Sequence, residues 1–99
     1  MASGSTFRVI DAYDGPHAGR ILRLRLESGD APTVRSLKGA RLRALSPDGD
    51  ERFVRVDGFP LFGGKVSDAR LEKTGRIDVH VTHEGDGIPV AARWAVSAA

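Results

Sequence analysis

The chain has 99 residues, a formal net charge of +2, and 40% hydrophobic against 28% charged residues, the make-up of one small globular domain with a modest core. It has no cysteine, which excludes disulfides, thiolate metal sites and a cysteine nucleophile. No apolar run approaches the roughly 20 residues of a membrane-spanning helix, and no signal-type apolar core opens the chain, so the expected setting is the cytoplasm with no membrane partner.

The opening residues MASGST are small and polar and are expected to fray. Phe7 to Ala12 alternates, with Phe7, Val9 and Asp11 on one side and Arg8, Ile10 and Ala12 on the other, which predicts a first strand. Asp14 to Gly19 (DGPHAG) is dense in turn residues and predicts a loop. The stretch Gly19 to Gly29 (GRILRLRLESG) carries the clearest pattern in the chain. Leu22, Leu24 and Leu26 share one face, and Arg23, Arg25 and Glu27 the other, as in a strand with one buried and one wet side.

Thr33 to Lys38 fits either a short strand or a loop. Ala40 to Leu45 (ARLRAL) is made of good helix formers, but six residues between Gly39 and Ser46-Pro47-Asp48-Gly49 are too few for a stable helix, so a strand is expected. Pro-Asp-Gly then turns the chain into Arg52 to Val56, completing a β-hairpin. Asp57 to Gly64 (DGFPLFGG) cannot be regular strand throughout, because Pro60 lacks an N–H for the ladder. Lys65 to Glu72 fits one or two helical turns or an irregular strand. Arg76 to Thr82 predicts a strand with Ile77, Val79 and Val81 inward. Ile88 to Val96 predicts the last strand, with Val90, Ala92, Trp94 and Val96 on one face, before Ser97 to Ala99 frays. Five to seven short strands and no long helix make this an all-β domain over residues 7–96; the spacing suits a small barrel or a sandwich, and a mostly antiparallel barrel, which closes its own edges, is the expected architecture.

The order of these elements resembles the second domain of translational GTPases, the small β-barrel of elongation and initiation factors. The resemblance spans about residues 7 to 82. It rests on Phe7-Arg8-Val9-Ile10-Asp11, on Gly19-Arg20-Ile21-Leu22 and Leu26-Glu27-Ser28-Gly29, and on Leu37-Lys38-Gly39 before the strand at Ala40 to Leu45. Phe53 to Val56, Phe59 to Phe62 and Thr74-Gly75-Arg76-Ile77 follow in the family's order. The chain has Gly39-Ala40 where the family prefers Gly-Asp. Gly15-Pro16-His17 followed by Gly19 is also similar to the barrel at the front of a ribosome-maturation protein. Either resemblance implies a barrel presented to RNA or a ribosomal surface, without GTP hydrolysis, since no phosphate-binding GTPase domain accompanies it.

Twelve arginines against three lysines suit planar, bidentate contact with phosphate, and equally suit the arginine habit of a high-GC bacterial genome. Arg23 and Arg25 on one strand, Arg41 and Arg43 on another, and Arg52 and Arg55 nearby form a basic strip if the strands adjoin; such strips bind phosphate backbones. The competing reading is an ordinary solvated face in which Asp48, Asp50, Glu51 and Asp57 pair with the arginines. Phe59, Leu61 and Phe62 either stack on bases or anchor a partner protein, or fold inward and plug the barrel end. His80 and His83 lie three apart and so face opposite sides of a strand, which argues against a shared metal; His17 beside Asp14 is read as a loop residue making a local hydrogen bond. No nucleophile motif or paired carboxylates are legible, and a barrel this small is filled by its own side chains. The expectation is therefore a non-catalytic binding module without cofactor or metal, binding RNA or the ribosome through Arg23, Arg25, Arg41, Arg43 and Arg55. The alternative is a protein-interaction or self-associating domain that uses the Phe59–Phe62 loop or an open edge strand.

Overall fold

The computed structural model describes residues 4–60 and 66–99. Six strands form a closed antiparallel barrel: β1 (Thr6–Asp14), β2 (Arg20–Ser28), β3 (Arg41–Leu45), β4 (Glu51–Gly58), β5 (Arg76–Glu84) and β6 (Ala95–Ala98). Around the wall they run β1-β2-β5-β4-β3-β6, and β6 pairs with both β3 and β1 to close the ring. The expected all-β barrel is what forms. Every strand pairs on both sides, although β6 meets β1 only at Thr6, Phe7 and Arg8, so no strand of the barrel is an open edge along its whole length.

The alternation of β2 is realised as written: Leu22 and Leu24 are fully buried, and Arg23 and Arg25 face solvent. Leu42 and Ala44 of β3, Val54 and Val56 of β4, and Ile77, Val79 and Val81 of β5 complete the lining, with Phe7, Val9 and Val96 from the remaining strands. Each large aliphatic side chain so buried contributes about 1.5–3 kcal/mol. The β3–β4 hairpin turns at Ser46–Asp50 as expected, Ser46 N–H donating to Asp50 O (2.8 Å).

Four expectations need correction, and one open alternative is decided. In β1 the pairing slips between Val9 and Asp11, leaving Ile10 as the extra residue of a bulge; beyond it Ala12 packs on the core and Asp11 is exposed. Residues 33–38 hold neither strand nor loop but a helical turn, α1 (Val34–Leu37), capped by Thr33 Oγ1 accepting from Ser36 N–H (3.1 Å). Between 65 and 72 the helical alternative is the one realised, shifted toward the C-terminus as α2 (Asp68–Thr74). Ser67 caps it, and Gly75 ends it at φ 68°, in the left-handed region. Leu37 and Leu71 deliver each helix to the core.

The last strand is far shorter than nine residues. Val90 and Trp94 are buried, but Ala92 is exposed, because Trp94 N–H turns back to Ala91 O (3.4 Å) and Arg93 stands at φ 77°. Ser5 is buried and donates to Asp30 O (2.5 Å), Thr6 begins β1, Ser97 and Ala98 lie in β6, and Ala99 N–H donates to Arg41 O (3.1 Å), so these residues are held rather than frayed; Met1, Ala2 and Ser3 lie outside the described residues.

Candidate functional site

Strand order decides the fate of the arginines. In a ring of six, β2 is three strands from β3 in either direction, so Arg23 and Arg25 stand on the opposite wall from Arg41 and Arg43. No single strip forms. On the β3–β4 wall Arg52 is buried, donating to Ile88 O (2.9 Å) and Gly85 O (3.0 Å), and each of the other three arginines has an acidic partner. Glu84 accepts from Arg41 Nε (3.0 Å) and lies 3.9 Å from Arg55, Arg43 pairs with Glu51 (2.5 Å), and the Arg41 guanidinium sits 4.1 Å over the Phe53 ring. These are solvated pairs and a cation–π contact, the ordinary devices of an exposed sheet.

On the other wall, Arg23 donates to Asp78 (3.2 Å), and that bond holds its guanidinium proton more tightly than usual. Arg25 differs. Its β1 neighbour in register is Arg8 and its β5 neighbour is Arg76, so three arginines form one lateral row across β1, β2 and β5. Directly opposed residues have Cα atoms about 4.5–5.5 Å apart. Arg8 is tied to Glu27 (2.8 Å) and to Arg93 O (2.9 Å), whereas among the described residues Arg25 and Arg76 have no ion pair. Like charges in direct opposition destabilise a sheet. Arg8 and Arg76 were not among the expected site residues. Nothing in either local segment marks them, since the row exists only in the register of three strands.

Farther along the same wall lies an open cleft of about 500 Å³, lined by Pro16, His17, Ile21, Asp57, Phe59 and His80 among others. Ile21 is 5% exposed yet outside the main core cluster, because it points outward from β2 and is covered locally. Phe59 is half-buried, packing on the core while lining the cleft, so it serves part of the inward role and stays reachable from outside. Leu61 and Phe62 lie outside the described residues.

His80 Nε2 is 2.9 Å from Pro16 O and Nδ1 is 3.2 Å from Asp57 Oδ2, which also accepts from the Thr82 hydroxyl (2.5 Å). With both ring nitrogens engaged, the pair lacks the free nitrogen that a general base presents to substrate. His83 turns elsewhere: its Nε2 accepts from Val90 N–H (3.0 Å), while Arg20 Nε donates to Val90 O (2.6 Å). Burial, then the charges of Arg52 and Arg20, lower the His83 pKa, consistent with a neutral acceptor. Asp14 pairs with Arg20 (3.0 Å) rather than serving His17.

Comparison with known proteins finds no matching family model, no matching curated protein and no matching solved structure.

Proposed function

We propose that this barrel is a non-catalytic RNA-binding module, free or ribosome-associated, and that its contact surface is the wall formed by β1, β2 and β5. The observation that carries the reading is the lateral row Arg8–Arg25–Arg76, in which, among the described residues, two cations stand without acidic partners. A sheet that keeps opposed like charges accepts a cost in stability, and a polyanion laid across the row removes it. Arg25 is retained from the strip expected from sequence, while Arg41, Arg43 and Arg55 are set aside because each has an acidic partner, Glu51 for Arg43 and a shared Glu84 for Arg41 and Arg55. Phe59, half-buried at the cleft of the same wall, is the stacking group within reach of a strand bound there.

Fluorescence anisotropy with a labelled single-stranded RNA, over a salt series, tests this. Loss of two phosphate contacts in the double variant Arg25→Ala/Arg76→Ala lowers the slope of log K against log salt by about 1.4. The double variant Arg41→Ala/Arg43→Ala binds as the wild type does. Absence of binding at low salt, or equal losses in both variants, refutes the reading and leaves the cleft, lined by Phe59 and Pro60, as a protein-docking surface.

A further inference from the structure

The β1–β2 turn is strained where it crosses the cleft. Gly19 N–H donates to Pro16 O (3.1 Å) and Gly15 N–H to Gly19 O (2.9 Å), and the two central residues, His17 and Ala18, both have positive φ (57° and 61°). That primed-turn geometry suits the twist of a hairpin and normally recruits Asn or Gly. For other residues the left-handed region is unfavourable, so the turn gains from support outside itself.

His80 packs directly against it. Its ring lies where side chains of the flanking glycines would be: a Cβ on Gly15 would fall 2.9 Å from Cδ2, and one on Gly19 closer still to Cε1. Its two nitrogens meet two acceptors, the Pro16 carbonyl and the Asp57 carboxylate. Neither acceptor, with Asp57 ionised, has a proton to offer, so the doubly protonated ring alone satisfies both.

We propose that His80 is a proton-controlled latch: as the imidazolium it fastens the strained Pro16–Gly19 turn to the barrel wall, and as the neutral ring it lets the turn go. A neutral ring has one N–H. The bond to the ionised carboxylate is charge-assisted and is the one retained, which leaves the Nε2 lone pair facing the Pro16 oxygen. Repulsion there, added to the strain, releases the turn and changes the rim of the cleft. The other titratable groups lining the cleft are Asp57 from β4 and His17 from the turn itself; Ile21 of β2 and Thr82 of β5 do not titrate in this range.

The test is an NMR pH titration of the isotope-labelled full chain, following the histidine ring protons and the backbone amides of residues 15–19, with amide-exchange protection of Gly15 and Gly19. The amides are expected to move with the midpoint of the His80 ring, and protection of Gly19, corrected for intrinsic rate, to fall at least about tenfold on deprotonation. His17→Asn, which removes the competing titration and tolerates positive φ, keeps the transition. His80→Gln and, should that variant fail to fold, Asp57→Asn abolish it. Amides that follow the His17 ring, that do not move, or that keep their transition in His80→Gln or Asp57→Asn overturn the proposal.

Discussion

Arg25 of β2 and Arg76 of β5 stand directly opposite one another on the outer face of the barrel, and among the described residues neither is paired with a carboxylate. Cross-strand neighbours of like charge are unfavourable, and opposite charges at such a position contribute about 0.2–1 kcal/mol. Arg76→Glu is therefore expected to raise thermal or denaturant stability by several tenths of a kcal/mol and to weaken the proposed RNA binding. A loss of stability on this change would mean that Arg76 has a structural partner.

The two faces of β2 separate packing from charge. Leu24 is fully buried and Arg23 is exposed in its pair with Asp78. Leu24→Ala should cost about 2–5 kcal/mol in urea unfolding. Arg23→Ala should cost less than about 1 kcal/mol, as exposed ion pairs do. Equal losses would contradict the face assignment.

His83 sets a pH dependence whose sign follows from its environment. Burial and two arginines lower its pKa below the ordinary 6.5, so the unfolded chain binds the proton more readily than the folded one. Stability contributed by this group is complete above about 6.5 and is lost as pH falls from there toward the folded value. His83→Gln, whose side-chain carbonyl can still accept from Val90 N–H, should flatten that part of the stability–pH curve relative to wild type. An unchanged curve would remove His83 as its source.

Gly19 and His80 should couple. Gly19→Ala forces a methyl into the imidazole ring, and overpacking of this kind costs about 1–3 kcal/mol. In a His80→Ala background the same substitution should cost markedly less, giving a coupling energy of about 0.5–3 kcal/mol in a double-mutant cycle. Strict additivity would show that the ring does not occupy the space beside Gly19.

The barrel was legible because its signal is local. Leu22-Arg23-Leu24-Arg25 and Ile77-Asp78-Val79-His80-Val81 state their buried and wet faces by alternation alone, and Pro47-Asp48-Gly49 states its hairpin. Where the pattern misled, a backbone irregularity intervened. Ile10 bulges and turns Asp11 outward, and Arg93 at φ 77° ends the apparent strand through Val90, Ala92 and Trp94. The short helix α1 escaped notice because its caps act at Thr33 and Lys38, over too few residues to show a helical period.

The site was less legible, and for a different reason. Alternation says which arginines face water but not which of them are neighbours, since neighbours in a sheet are set by strand order and register between distant segments. Alternation and turn residues alone were enough to place five strands of the barrel, most of their inward-facing side chains and the outward exposure of Arg23, Arg25, Arg41 and Arg43. Only the tertiary structure decided that β2 and β3 lie on opposite walls, that Arg25 is aligned instead with Arg8 and Arg76, and that His80 is clamped between Pro16 and Asp57. Side-chain direction follows from the two-residue period of one strand, whereas charge adjacency follows from which strands the closing barrel brings together.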